Sequence, residues 1–442
     1  MNTSLRQVRL YARAFPGQWR HASTIAEPGK HKILVVGGGS GGLPVAHQIY
    51  NRFKAAGKSL NEGDIAILDS AEYHYYQVSR TLVGSGLHAK TDCRRPLASL
   101  IPRHLALVPE NVKAFSPATS TVTTESGRIL AYDVLVVATG LKINWDAIPG
   151  LSQALADPTS GVSSIYSYDT CDKVWHDIDR LQSGQAIFTQ PAGVIKCAGA
   201  PQKIMWMAWD RYRRSGRQNK IQVDFYTGMP TMFSVKKYSD ALNALREHRG
   251  VGGYFSHNLI SIDPSNRRAT FKTGDFAVEA DYSLLHVTPP MGPLDVIAKS
   301  PIADAAGWVQ VNDGTLQHVK YDNIFSLGDC SSLPTSKTAA AITAQAPILT
   351  ENIYSVMNTG KPDPTRYDGY TSCPLLTGYG ELMLAEFKYG LKPKETFSTI
   401  FDQAKSRRFF YHLKKDVFPW AYWNYMVKGE WFGTSGLRRP IR

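Results

Sequence analysis

Short β-branched runs alternate with helical repeats along much of this chain, which predicts parallel strands wound with helices. The first run, Lys32–Val36, ends in Gly37-Gly38-Gly39-Ser40-Gly41-Gly42, and a helical pattern continues to about Lys54. Asp64–Asp69 reads as a second buried strand, completing a βαβ opening. Residues 107–134 alternate as a small meander, and Tyr132–Ala138 forms an apolar strand ending in Thr139-Gly140. A second α/β series starts near Ser164: helix about Asp172–Leu181, strand Ala186–Thr189, helix about Gln202–Arg213, strand Gln222–Tyr226 and helix about Lys237–His248. A meander over about 254–288 follows. Asn323–Leu327 is a late strand running into Gly328-Asp329-Cys330, with helix Thr338–Tyr354 behind it. The expected division is 30–160 and 291–365 for one α/β unit, 161–290 for a second unit inserted in it, and 366–442 for a C-terminal region.

The two ends differ from the middle. Residues 1–26 hold Arg6, Arg9, Arg13 and Arg20, no acid, and interspersed Leu5, Leu10, Tyr11 and Phe15, the pattern of a mitochondrial presequence. Residues 409–432 hold ten aromatics in 24 positions, and residues 405–442 hold nine Lys or Arg against Asp416 and Glu430. Such a segment suits an interface-lying membrane anchor, with Trp420, Tyr422, Trp423, Tyr425 and Trp431 at the headgroup level. Lys414, Lys415, Lys428, Arg438 and Arg439 would face anionic lipid. An aromatic oligomer interface is the alternative. No apolar run reaches the length of a transmembrane helix. The net charge of +13 concentrates in these two ends and no nucleic-acid motif occurs, so nucleic acid is not an expected partner.

Gly37-x-Gly39-x-x-Gly42 stands between a strand and a helix, the context that gives this spacing meaning. Gly37 permits the tight turn, Gly39 lets backbone approach a pyrophosphate, and Gly42 permits close helix–strand packing. Ser40 and Gly41 complete the loop, whose N–H groups and helix N-terminus attract an anion. Asp69, at the end of the second strand, can accept from a ribose. These features define a Rossmann-like α/β fold. With Ala138-Thr139-Gly140 and Gly328-Asp329 they resemble the flavoproteins built from two dinucleotide-binding domains. That resemblance implies FAD, with Thr139, Gly140, Gly328 and Asp329 at the cofactor and Asp329 on the ribityl hydroxyls. Lys337, Thr338 and the helix behind them would turn positive charge toward the flavin edge that becomes negative on reduction.

NAD(P)H-using relatives of that fold carry a second glycine fingerprint after the first strand of the inserted domain. Here the loop is Gln190-Pro-Ala-Gly-Val-Ile-Lys-Cys197-Ala-Gly-Ala-Pro-Gln202, which offers no pyrophosphate cradle. It offers a cysteine preceded by Lys196, and a nearby cation favours the reactive thiolate. Five cysteines, an odd and sparse set, argue against a disulfide framework. No metal is expected.

Five stretches resemble the mitochondrial form of the sulfide:quinone oxidoreductase family: Val35–Gly42, Val194–Met205 (VIKCAGAPQKIM), Leu285–Met291 (LHVTPPM), Gly328–Ala341 (GDCSSLPTSKTAAA) and Tyr367–Tyr379 (YDGYTSCPLLTGY). The resemblance runs from about residue 31 onward. It implies a redox-active pair of Cys197 and Cys373 beside FAD, with Gln77 lining the cofactor and the backbone of Val112 at the adenine. It further implies that hydrogen sulfide attacks the oxidised pair, leaving a persulfide on Cys373 while Cys197 passes electrons to the flavin. Glutathione or sulfite would take the outer sulfur, and a quinone, ubiquinone in this form, the electrons. The expected location is the mitochondrial inner membrane, peripheral or monotopic, on the matrix side. Cys93, Cys171 and Cys330 are read as structural. Proton shuttling by His74, His257 or His286 stays open. The competing function is a type II NADH:quinone dehydrogenase, which shares the fold and tail but needs the missing fingerprint.

Overall fold

The structure, a computed structural model, describes residues 29–437. The presequence reading, Arg438 and Arg439 lie outside the described residues. The first sheet places Lys30–Val36 between Ile65–Leu68 and Ile129–Val137, all parallel, with Ala106–Val108 outside Ile65–Leu68. Continuous apolar runs form these strands because both sheet faces are covered. Ile129–Val137 serves two partners along one edge. Its start pairs antiparallel with the hairpin Val112–Ser116/Thr121–Thr124, and its end pairs parallel with Ile324–Ser326. The late strand thereby returns the chain to the first domain, as the sequence pattern predicts. Helices Gly42–Ala55 and Ala339–Thr359 pack against each other over this sheet.

The second sheet runs in the order Val162–Ser163, Leu284–His286, Gly184–Gln190, Ile221–Thr227, Gly252–Phe255, and every pairing is parallel. Helices Cys171–Arg180, Ala200–Arg214 and Lys236–His248 connect its strands. An antiparallel meander, Asn258–Asp263, Arg268–Thr273 and Phe276–Asp281, lies beside it.

Residues beyond 366 do two things. Thr371–Gly378 and Glu381–Lys388 form a hairpin that packs its buried face on helix Ala200–Arg214, so Cys373 and Leu375 belong to the second domain's core. The segment after about 397 makes short helices with a π-turn at Leu413–Val417. Two residues read as membrane-facing are corrected here. Lys414 turns inward at the π-turn, is 1% exposed and donates to the Val78 carbonyl at 3.1 Å. Tyr422 is also buried, its ring stacked on Tyr76 at 4.0 Å. Ile400, Phe409, Val417, Trp420 and Leu437 are the exposed large apolar side chains among the described residues of this segment, Trp420 at 52%. Among the described residues no helix is long and apolar enough to cross a membrane.

Candidate active site

Three neighbouring parallel strands end in the three motifs read as cofactor-binding. Lys30–Val36 runs into Gly37–Gly42, Ile129–Val137 into Ala138–Gly140, and Ile324–Ser326 toward Gly328-Asp329. Carboxyl edges of such sheets are where this architecture binds ligands. Gly37 takes φ +103, and a Cβ on Gly42 would sit 1.8 Å from the Gly37 carbonyl oxygen, so both are dictated by packing. A Cβ on Gly39 would meet nothing within 4 Å: its face is open. Asp69 accepts from the N–H groups of Gly38 (2.6 Å) and Ala71 (2.8 Å), which fixes the carboxylate beside the loop.

These residues fit a flavin dinucleotide. The Thr139 hydroxyl is buried without a partner. The half-buried Asp329 carboxylate meets no hydrogen-bond donor among the described residues, and burial pushes its pKa up against the pull of Lys337 and Lys196. A ribityl chain and a pyrophosphate would supply the missing partners and cover the open glycine. Lys337 donates to the Ser331 carbonyl at 3.1 Å and lies 4.0 Å above the Trp308 ring, its pKa lowered by burial. The Thr338 side chain caps helix Ala339–Thr359 through the Ala341 N–H (3.0 Å) and pairs with Thr371 at 2.7 Å, so its hydroxyl is already engaged. Ser40 pairs with the Tyr422 hydroxyl at 2.7 Å, a link to the C-terminal segment that the loop sequence does not announce. Val112 is half-buried on the edge hairpin, paired with Thr124. Gln77 is exposed and accepts from Lys196 at 2.7 Å.

The inserted domain brings the sulfur atoms. Its loop after Gly184–Gln190 turns at Cys197, which takes φ +53, a left-handed conformation uncommon outside glycine. The Cys197 N–H donates to the Lys337 carbonyl at 2.8 Å, stitching this loop to the segment before the long helix of the first domain. Cys373 reaches the same place from the C-terminal hairpin, and the two Sγ atoms stand 3.9 Å apart as free thiols. Gly199 is what lets them meet, because a Cβ there would lie 2.5 Å from Cys373 Sγ.

The activating cation is a correction. Lys196 points to Gln77, whereas Lys203, inside helix Ala200–Arg214, puts Nζ 3.2 Å from Cys197 Sγ. Cys197 is held well below the ordinary thiol range, first by its hydrogen bond with Cys373 and, against burial, by the Lys203 cation. Cys373 is correspondingly pushed well up. The two sulfurs thus share one proton, with thiolate character on the atom that Lys203 touches. Lys414 adds a second buried amine within electrostatic range of both cysteines, its pKa lowered to about 7 by burial and by Lys203. The sequence pattern singles out neither lysine for the sulfur site: Lys203 goes unnoticed, and Lys414 is expected at the lipid surface.

Cys93 and Cys171 form a separate buried cluster with Val83, and burial pushes their thiols up to about 12 and about 11. Cys330 is buried against the Val137 carbonyl at 3.4 Å. Among the described residues no His, Cys, Asp and Glu cluster could hold a metal.

Fold and site together define a flavin-dependent oxidoreductase of the two-dinucleotide-binding-domain class. No family model matches the chain. It is 50% identical to the mitochondrial sulfide:quinone oxidoreductase of Schizosaccharomyces pombe, covering 96% of each chain. It is 48% identical to the mitochondrial sulfide:quinone oxidoreductase of Dictyostelium discoideum, over 93% of this chain and 89% of that one. Its fold matches the crystal structure of the sulfide:quinone oxidoreductase from Aquifex aeolicus with a TM-score of 0.73 at 20% identity, over 91% and 92% of the two chains. The chain belongs to the mitochondrial sulfide:quinone oxidoreductase family.

Proposed function

We propose that this protein oxidises hydrogen sulfide at Cys197 and Cys373 and delivers the electrons to a membrane quinone, ubiquinone in the mitochondrion. The observation that carries the reading is the 3.9 Å approach of the two thiols with Lys203 at 3.2 Å from one of them. In the oxidised pair, hydrosulfide attacks Cys373 Sγ, the S–S bond breaks, and Cys197 leaves as a thiolate. Lys203 stabilises that leaving thiolate, and a lower thiol pKa speeds departure. A sulfur acceptor thiolate such as glutathione, or sulfite, then takes the outer sulfur from Cys373. Closing the Cys197–Cys373 bond again releases two electrons.

The cofactor fitting the first-domain cleft is FAD, held by the Gly37–Gly42 loop, Asp69, Thr139, Gly140, Gly328 and Asp329, with Gln77 and Val112 at its margins. When bound it supplies the two-electron acceptor between dithiol and quinone. Lys337, whose carbonyl holds Cys197, ties the sulfur loop to that cleft. The stiff, fingerprint-free loop at Cys197 favours this reading over an NADH dehydrogenase. The exposed apolar residues Ile400, Phe409, Val417 and Trp420 would seat the protein peripherally on the matrix face of the inner membrane, where an apolar quinone is dissolved. Anaerobic titration of the purified flavoprotein tests the whole: sulfide bleaches the flavin and a short-chain quinone restores it, while NADH does neither. Near-normal bleaching by sulfide in Cys197→Ser or Cys373→Ser would refute the dithiol route.

A further inference from the structure

Ser40 belongs to the glycine loop, but its hydroxyl is engaged by Tyr422, whose hydroxyl stands 2.7 Å away. The link continues past Tyr422. Its hydroxyl lies 2.5 Å from Nε2 of buried His74, and His74 Nδ1 lies 2.9 Å from the Gly38 carbonyl. The proton positions along this chain follow from its Gly38 end. A carbonyl can only accept, so Nδ1 carries the hydrogen and donates to Gly38. Burial lowers the His74 pKa, so the ring is neutral and Nε2 is left as an acceptor. Tyr422 therefore donates to His74, and its oxygen accepts from Ser40. The single proton of Ser40 is spent inside the protein and does not serve a phosphate oxygen.

The chain starts and ends in the same loop, and what it holds there is the backbone. Gly38 gives its N–H to Asp69 at 2.6 Å and its carbonyl to His74. In a trans peptide the carbonyl and the following N–H point to opposite sides. Fixing the Gly38 carbonyl on His74 thus aims the Gly39 N–H the other way. That N–H meets no acceptor among the described residues, and Gly39 is the glycine whose Cβ position is open. A free backbone N–H on an open face is the donor a pyrophosphate requires. The C-terminal segment anchors the other side of the chain. Tyr422 sits in helix Phe418–Asn424 with its ring stacked on Tyr76 at 4.0 Å. Further on, Asn51 donates to the Lys428 carbonyl at 3.3 Å and Gln48 to the Trp431 carbonyl at 2.9 Å. A Cβ on Gly429 would lie 2.6 Å from the Gln48 nitrogen, so the segment lies directly on helix Gly42–Ala55 behind the loop.

We propose that Tyr422 is a positioning residue for the cofactor: through Ser40 and His74 it fixes the glycine loop in the conformation that receives the FAD pyrophosphate. Loop and C-terminal segment then form one binding unit, and by reciprocity flavin in the cleft holds the segment down. The assignment rests on the FAD reading above and extends it to a residue 382 positions from Ser40 in the chain.

The test uses the full-length flavoprotein with Tyr422→Phe, Ser40→Ala and the double substitution. Phenylalanine keeps the ring on Tyr76 and removes only the hydroxyl. Flavin release from the diluted holoenzyme is followed by the rise of free-flavin fluorescence. Tyr422→Phe is expected to speed release about ten-fold, the factor that 1.4 kcal/mol corresponds to. Ser40→Ala should speed it by a smaller factor. The double variant should release no faster than Tyr422→Phe, because both substitutions break one contact. Unchanged release from Tyr422→Phe would overturn the assignment. So would factors that multiply in the double variant, since Ser40 and Tyr422 would then act separately. Trypsin cleavage after exposed Lys428 is the second readout, with exposed Lys272 in the meander as the reference site. Added FAD should slow cleavage after Lys428 several-fold in wild type and leave it nearly unchanged in Tyr422→Phe. An equal effect of FAD on both proteins would also overturn the coupling. If Tyr422→Phe does not fold, Ser40→Ala decides: cleavage after Lys428 should rise in its flavin-loaded form, and wild-type cleavage there overturns the assignment. A wild-type protein that releases no FAD on denaturation would instead overturn the FAD reading.

Discussion

Lys203 Nζ lies 3.2 Å from Cys197 Sγ, where a buried lysine and a half-buried cysteine meet at the junction between the inserted domain and the C-terminal hairpin. A fully buried lysine keeps its charge only where a partner such as a thiolate compensates the burial. Burial alone would lower its pKa, yet the neighbouring thiols outweigh burial and raise it. The reciprocal effect holds Cys197 as a thiolate.

Lys203→Met should therefore raise the Cys197 pKa and shift the reactive form to higher pH. A thiol whose pKa is depressed is deprotonated above that pKa and protonated below it. Wild type should thus alkylate at a rate nearly flat across pH 6–8, whereas the variant's rate should climb through that window. At pH 7 a loss of about ten-fold is expected, one pKa unit being a factor of ten in thiolate. Iodoacetamide labelling of the reduced protein, followed by mass spectrometry of the peptide bearing Cys197, checks it.

Two glycines of the first loop should respond oppositely to the same added methyl. Gly42→Ala sets a Cβ 1.8 Å from the Gly37 carbonyl, so it should destabilise the fold by at least about 2 kcal/mol. Gly39→Ala meets no protein atom and should leave the apoprotein's denaturation midpoint unchanged. It should still purify largely free of flavin, because the methyl enters the space a pyrophosphate needs. Denaturation curves and the flavin-to-protein absorbance ratio separate the two.

The sequence revealed the fold and half the site, for physical reasons that differ between them. Strands Lys30–Val36 and Gly184–Gln190 are legible because a strand buried on both faces must be a short unbroken apolar run. Helix Cys171–Arg180 is legible from its 3.6-residue period. Cys197 and Cys373, far apart in the chain, were paired only by resemblance; no local pattern encodes their 3.9 Å approach. Lys203 was hidden because the left-handed turn at Cys197 aims the thiol back at the helix six residues on, while sequence adjacency pointed to Lys196. Lys414 was hidden in a tail that looks uniformly basic, since the π-turn that rotates it inward has no residue signature.

Lys414 gives a pH dependence whose sign is fixed. Its pKa is lowered to about 7, by burial first and then by Lys203, with Cys197, Cys373 and Cys93 opposing. Above the unfolded lysine pKa, roughly 10.4, both states are neutral and the residue is neither favoured nor penalised. As pH falls from there to about 7 the unfolded chain takes up a proton that the folded one refuses, so stability declines. Below about 7 both states are charged and the penalty is complete. Lys414→Met removes it. The variant's stability advantage should be largest near pH 6, on the order of 2–4 kcal/mol, and shrink steadily toward pH 10. Urea denaturation of both proteins at several pH values measures the difference, and an advantage growing with pH would contradict the assignment.

Membrane attachment should depend on the exposed side chains of the C-terminal segment and not on its overall basic, aromatic composition. Ile400, Phe409 and Trp420 are 72%, 49% and 52% exposed. Lys414 and Tyr422 are buried and can contribute nothing to a lipid surface. Burying one large apolar side chain is worth roughly 1.5–3 kcal/mol when complete, and less at an interface. Replacing the three exposed residues by Ser should therefore weaken binding to vesicles of mixed phosphatidylcholine and cardiolipin by well over ten-fold. Sulfide-dependent bleaching of the flavin should stay intact, because none of the three approaches the sulfur pair. Lys428→Ala should cost a few-fold, and only at low salt, as expected of one exposed charge near an anionic surface. Tyr422→Phe makes the reverse case: it breaks the contacts to Ser40 and His74 and should perturb flavin binding while leaving vesicle binding unchanged. Co-sedimentation with the vesicles, run beside anaerobic absorbance spectra, reads both properties on the same preparations. Undiminished sedimentation of the triple variant would place the lipid contact elsewhere on the protein.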